Sequence, residues 1–261
     1  MQLMHKTQRP TPMQPDRDTL QAGAQAIGHP LTDAQADTLL AYLDLLQRWN
    51  KVYNLTAIRD PQQMLVQHLL DSLAVLPPLK RVQTASAIQG NAGPPQVSLP
   101  PSGGGRSVAA TSGHTLRLLD VGSGGGLPGV VIAVLRPDCQ ITCVDTVGKK
   151  ATFIRQVAAE LRLPQLIARH ARVEQLADGP YDVITARAFA SLTDLVKLTR
   201  SLLAPGGCWM AMKGQHPQAE IDALPADIDV FHVEQLTVPG LDAERCLIWM
   251  RPRTSSSTAP D

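Results

Sequence analysis

The chain carries almost no net charge, +1 over 261 residues with histidine neutral, so no overall basicity announces nucleic acid. It has four cysteines and no C-x-x-C. Cys139 and Cys143 fall in one expected strand, Cys208 and Cys246 in other apolar runs, and no pair of histidines lies beside them. Buried free thiols in a reducing cytosol are therefore expected rather than disulfides or a zinc site. No apolar run approaches the ~20 residues of a membrane span. Met1 to Pro15 is polar and proline-rich, without the apolar core of a signal peptide. These absences predict a soluble, cytoplasmic protein that holds no metal. With 44% hydrophobic residues, the chain can bury a full core as one domain plus an appendage.

Charge is unevenly distributed. Residues 46–117 carry seven Lys and Arg against Asp60 and Asp71, whereas residues 214–244 carry seven acids and no Lys or Arg. This permits a basic face for a polyanion and an acidic face away from it; ordinary solvated surface explains the charge equally well.

Residues 1–18 are expected to be disordered and 19–82 to form a helical module. In that module Thr32 and Gln35 make a capping box, followed by Leu39, Leu40, Leu43 and Leu46 at helical spacing. Asp60-Pro61 offers an N-cap and first-turn proline for a second helix, with a stripe of Leu65, Leu69, Leu73 and Leu76 ended by Pro77-Pro78. The connector between them is aromatic, polar and basic: Trp49, Lys51, Tyr53 and Arg59 could meet RNA, although aromatics at a helix end also serve as core anchors. Residues 83–115 are rich in Gly, Pro and Ser and read as a flexible linker. Residues 252–261 read as a disordered tail.

Between 116 and 251, strands (116–121, 139–145, 165–170, 181–186, 207–213) alternate with helices (near 128–135, 148–162, 191–203, 215–223), which implies a parallel sheet covered on both faces. Strands at 228–236 and 244–251 follow without a crossover helix and should pair antiparallel. An α/β fold of the class I methyltransferase type is expected: Rossmann-like, with a mostly parallel seven-stranded sheet whose last strand is antiparallel, preceded by the small helical module. A plain six-stranded dinucleotide fold does not end this way.

The centre of this domain is Leu116 to Gly129, a buried strand, a glycine turn and a helix start. Pro128 suits the helix's first turn. Gly124-x-Gly126-x-x-Gly129 satisfies the dinucleotide fingerprint. Read from Gly122, the same residues give apolar-apolar-Asp-Val-Gly-x-Gly-x-Gly, which resembles motif I of the S-adenosylmethionine (AdoMet) methyltransferases. Asp120 suits a cationic sulfonium and amino-acid ligand better than a pyrophosphate. Asp145 ends the next strand, 23 positions after Gly122, where an acid reaches the ribose hydroxyls of an adenosine or caps the next helix. Val173 and Glu174 follow the third strand, placed for an adenine ring; a solvated acid at a helix start is the competing reading. Arg187 follows the fourth strand. It stays protonated and cannot act as a base, but can hold a phosphate or a guanine carbonyl oxygen bidentately. No His/Asp pair or nucleophilic Ser or Cys stands near the turn, which suits an acceptor atom needing no deprotonation. Guanine N7 is such an atom, and positioning alone can supply roughly 7–11 kcal/mol.

These residues carry a resemblance. Asn54-Leu55-Thr56-x-Ile58-Arg59-Asp60, His68-Leu69-Leu70-Asp71-Ser72-Leu73, Asp120 to Gly129, Gly148-Lys149-Lys150, Phe153-Ile154-Arg155-Gln156-Val157, Ala186-Arg187-Ala188 and Lys213-Gly214 occur in order. Together they are similar to the bacterial small-subunit rRNA guanine-N7 methyltransferases, also called glucose-inhibited division protein B, over roughly 32–82 and 116–251. The resemblance implies an AdoMet-dependent enzyme that methylates N7 of a guanine in the 530 loop of 16S rRNA, acting on rRNA or the 30S subunit. It implies Gly122, Gly124 and Leu127 lining the cofactor, Val173 and Glu174 at adenine, and Arg187 contacting the cofactor from its substrate side as the catalytic candidate. Asp145 fits the ribose by its place in the fold. Arg59, His68, Lys149, Lys150, Arg155 and Lys213 are candidates for contacting the RNA; His68 and Asp71, three apart on one helix face, either help form the site or make a surface pair. The stretch 83–115 is longer than the family's usual connector. A non-enzymatic ribosome-assembly factor, an NAD-linked oxidoreductase and a small-molecule methyltransferase are the alternatives.

Overall fold

The central strands are apolar on both faces, and alternation along them assigns each residue to one side. Leu118, Ile141, Cys143 and Met210 share one core with the helical module, whereas Leu119, Val121, Val144 and Ala211 belong to another. The computed structural model describes residues 14–82, 115–189 and 191–253. The expected linker, apart from Thr115, lies outside the described residues, as do 1–13 and 254–261.

The strands are β1 (Arg117–Val121), β2 (Gln140–Asp145), β3 (Leu166–His170), β4 (Tyr181–Ala186), β5 (Leu203–Lys213), β6 (Ile228–Gln235) and β7 (Cys246–Pro252). They form one sheet in the order β3-β2-β1-β4-β5-β7-β6. β7 runs antiparallel to both β5 and β6, between which it is inserted. This is the class I methyltransferase arrangement. The order reverses between β1 and β4, and the crevice at their carboxyl ends is where such sheets bind ligands.

The helical module comprises α1 (Gln14–Ile27), α2 (Asp33–Tyr53), α3 (Pro61–Met64), a π-helical turn (Leu65–Leu70), α4 (Asp71–Leu73) and α5, residues 76–82. The Thr32–Gln35 capping box starts α2, and Asp60 caps α3 through Gln63 N–H. Two boundaries differ from expectation. Residues 14–18 are helical, because Arg17 pairs with Asp37 of α2 and Asp16 accepts from Gln62 Nε2 at 2.7 Å. Pro77-Pro78 opens α5 instead of ending a helix, since a first turn needs no proline N–H.

On the module's side of the sheet lie α6 (Gly129–Leu135) and α7 (Gly148–Glu160); α8 (Leu192–Thr199) covers the other face, and short α9 (Gln218–Asp222) follows β5. Pro128 sits at the N-cap of α6, one position before the expected first turn. Trp49 is partly buried against Phe153 of α7, with ring centroids 5.5 Å apart, so it is a core anchor. Part of the acidic excess of the sequence is engaged locally. Of the seven acids in 214–244, Glu220, Asp227, Asp229 and Glu234 pair with Lys213, Arg200, Arg251 and Arg81. All four cysteines are buried and free. Among the described residues no helix is long and apolar enough to cross a membrane, and no cluster of metal-ligating side chains occurs.

Candidate active site

The glycine turn after β1 is pinned from three sides. Gly122 and Ser123 N–H donate to Val144 O of β2 at 2.9 and 3.2 Å. Asp145 accepts from Gly124 N–H on one oxygen at 3.0 Å and from Val147 N–H on the other at 2.8 Å. From the helical module, buried Tyr42 donates its hydroxyl to Gly125 O at 2.8 Å. Gly122 has φ +66, and a Cβ there would meet nothing within 4 Å, so the turn faces open space at this point. Gly129 serves a different purpose: its Cβ would lie 2.5 Å from Cys143 Sγ. That closeness lets Gly129 N–H donate to Asp120 Oδ2 at 2.8 Å.

Asp120 is fully buried, and its Oδ1 has no partner among the described residues. Burial pushes its carboxyl up to about 7; the Gly129 N–H and the Arg187 charge oppose this. A buried half-satisfied carboxylate beside an open glycine turn fits a cationic ligand.

At the carboxyl ends of β4 and β5 opens a cavity of about 340 Å³, walled by His68, Asp71, Arg187, Lys213, Arg245 and apolar groups including Ile58 and Met212. Arg187, half-buried after β4, donates Nη1 to Gln67 O at 2.9 Å and lies 3.4 Å from Asp71 Oδ2. Arg245 Nε donates to the other Asp71 oxygen at 2.9 Å. One buried carboxylate thus orients two guanidinium groups. The Nε and Nη2 of Arg187 have no partner among the described residues.

The expected RNA-contacting residues divide. His68 and Lys213 line the cavity, but neither presents a free cation. His68 is 3% exposed, not a surface residue; burial and the Arg187 charge push its pKa down to about 4, so it is neutral at pH 7. Its Nε2 lies 3.0 Å from Thr56 Oγ1. Lys213 is held by both oxygens of Glu220, at 3.0 and 2.8 Å. Lys150 lies 3.7 Å from Asp145, drawn toward the glycine turn. Arg59, Lys149 and Arg155 are exposed and outside the cavity wall. Val173 and Glu174 form a short 3-10 turn after β3, Val173 buried and Glu174 exposed; the Ala171 N–H bond to Asp145 O ties that turn to the end of β2.

Arg245 escapes the sequence reading. The available signal is topological: an antiparallel last strand begins at the carboxyl edge of its parallel neighbour, and Cys246 pairs with Lys213. A side chain just before β7 therefore lands at the site.

The chain matches the family model for rRNA small subunit methyltransferase G (GidB) over residues 35–99 and 107–248. The chain belongs to that family. The break in the match falls inside the Gly/Pro/Ser-rich stretch. Among curated relatives, the protein of Leptothrix cholodnii named ribosomal RNA small subunit methyltransferase G is 77% identical over 94% of this chain and 100% of its own. Proteins of the same name from Acidovorax sp. (56% identical; 89% and 94% covered) and Methylibium petroleiphilum (55%; 88% and 92%) are also similar. Family and strand order together make the chain an AdoMet-dependent methyltransferase and set aside the nicotinamide reading of the glycine turn.

Burial of His68 has a consequence for stability. His68 has a folded pKa of about 4 against 6.5 unfolded, so its stabilising contribution is complete above pH 6.5 and is lost as pH falls toward 4. The full loss is roughly 3 kcal/mol. Asp120 works in the opposite sense, its contribution declining as pH rises from about 4 to 7. Denaturant titrations of wild type and His68→Gln between pH 7 and 4 separate the two. The wild type should lose stability relative to the variant as pH falls; parallel curves would contradict a neutral buried His68.

Proposed function

We propose that the chain transfers a methyl group from AdoMet to N7 of a guanine in the 530 loop of 16S rRNA, with the small ribosomal subunit as its partner. The family match supports the rRNA substrate class. What favours N7 is the absence of a free general base in the cavity wall. Asp71 is shared by two arginines, Lys213 is held by Glu220, and His68 at about 4 is a weak base at neutral pH. Guanine N7 carries a lone pair and no proton, so its alkylation asks the protein for no base.

When bound, AdoMet supplies an electrophilic methyl group. On this reading Gly122, Gly124 and Leu127 line it through backbone and apolar contact, and Gly122 keeps the space above the turn clear. Asp145 retains acceptor capacity for ribose hydroxyls while fixing the turn, and Val173 and Glu174 flank adenine. Asp120 draws the amino-acid ammonium. Arg187 orients the target, its unspent donors matching guanine O6 or a phosphate. Arg59, Lys149 and Arg155 remain for rRNA phosphates; Lys150 and Lys213 serve within the site. The protein's contribution is alignment and exclusion of water, worth roughly 7–11 kcal/mol.

Single-turnover methyl transfer with AdoMet prebound tests the base-free reading. The rate should stay flat within about twofold from pH 6.5 to 9. A log-linear rise with unit slope would demand a base and move the acceptor away from N7.

A further inference from the structure

The most exposed large apolar side chains among the described residues are neighbours, Val52 (70%) and Tyr53 (42%), at the carboxyl end of α2. Exposed apolar side chains are ordinary taken singly; these two stand out because cations flank them and packed aromatic rings adjoin them. Between Asp44 and Asp60 the chain has three cations, Arg48, Lys51 and Arg59, and no acid. Asp44 takes up Arg48 at 3.2 Å, and Asp60 caps α3. Lys51 is exposed, and Arg59, also exposed, donates Nη2 at 2.7 Å to Oδ1 of Asn54, the residue after Tyr53. The Tyr53 ring is backed by Trp49, centroids 5.0 Å apart, and Trp49 is anchored on Phe153. The Tyr53 ring is thereby joined to packed aromatic side chains, whereas Val52 and Lys51 lie open to water.

The loop beyond it leads into the active site. Buried Asn50 accepts from Thr56 N–H at 3.0 Å and donates to Ile58 O at 3.2 Å. Ile58 is in the cavity wall, and Thr56 meets His68. Ile58 follows Tyr53 by five positions, so their Cα atoms lie within about 18 Å. An apolar, aromatic and cationic surface at that distance fits unpaired nucleotides, which stack on the ring and lay phosphates against the cations.

We infer that Val52 and Tyr53, flanked by Lys51 and Arg59, form a stacking platform for unpaired rRNA nucleotides flanking the target base. The inference rests on the rRNA reading above. It assigns the helical module a share of substrate capture that the cofactor-binding sheet does not supply.

The test uses the full chain, small ribosomal subunits lacking the methyl group, and protein-free 16S rRNA as probes. Tyr53→Ala should weaken binding to both by about tenfold and raise the KM for subunits similarly, with kcat and AdoMet affinity unchanged. Tyr53→Phe should behave as wild type, and Lys51→Glu should weaken binding more at low salt than at high salt. Melting temperatures within a few degrees of wild type show that the surface variants fold. Unchanged binding of Tyr53→Ala to both probes overturns the platform. So does a loss confined to subunits with protein-free rRNA unaffected, which assigns the surface to a ribosomal protein. If the wild type binds subunits without methylating them, and Tyr53→Ala still weakens that binding, the platform stands and the enzymatic reading falls.

Discussion

Replacing Arg187 by alanine is expected to lower methyl transfer by roughly two to three orders of magnitude, comparable to removing one preorganised charge-stabilising donor from an active site. The geometry argues for a loss of this size. Arg187 stands where the β1–β4 crevice meets the 340 Å³ cavity, its Nη1 spent on Gln67 O and the Asp71 side, its remaining donors unpartnered among the described residues. Removal leaves Asp71 with Arg245 alone and deletes the fork proposed to orient the acceptor. Arg187→Lys keeps the charge and loses the planar fork, so only a minor part of the rate should return. Initial rates over a range of subunit concentrations, with AdoMet binding by calorimetry, separate target orientation from cofactor affinity. An alanine variant within about threefold of wild type would remove Arg187 from the site.

A second large effect is expected at Gly122. With φ at +66 it occupies backbone space that side chains rarely adopt, and its Cβ direction opens onto nothing within 4 Å. Gly122→Asp introduces strain, bulk and a carboxylate into the space assigned to the cofactor. AdoMet affinity should fall by at least about a hundredfold, and methylation should be undetectable. The fold should persist, because the added Cβ meets no protein atom within 4 Å. Gly129→Ala is the control: its Cβ would sit against Cys143 and Asp120, so it should lower the melting temperature instead. A Gly122→Asp protein that binds AdoMet and methylates would remove the cofactor assignment from the turn.

Much of the framework around the candidate site is legible in the sequence because local physics dictates it. An apolar run followed by Asp120-Val121-Gly122 must be a buried strand opening into a tight turn, and Asp145 must end the next strand. Alternating elements ending in two strands without a crossover give the antiparallel β7. What stayed hidden depends on contacts distant in sequence. The helical state of residues 14–18 comes from Arg17 reaching Asp37. The engagement of Lys213 comes from Glu220 folding back over β5. The neutrality of His68 follows from burial, which helical spacing alone does not reveal. Arg245 enters the site because β7 inserts between β5 and β6. Tyr42 lies outside the leucine stripe read from the sequence of α2, yet its hydroxyl holds the glycine turn.

These contacts give the helical module two parts in one device. Its inner face supplies Tyr42, His68 and Asp71 to the crevice; its outer end carries the Val52–Tyr53 surface. The proposed cofactor and target sites lie beside the core that module and sheet share.

The most direct measurement is transfer of labelled methyl from AdoMet to small ribosomal subunits isolated from cells lacking this activity, followed by mass mapping of the modified nucleotide. Protein-free rRNA and tRNA run alongside. One methyl per particle, at N7 of a guanine in the 530 loop, is the predicted result. Transfer to no RNA despite AdoMet binding, or to a different nucleotide position, would contradict the account.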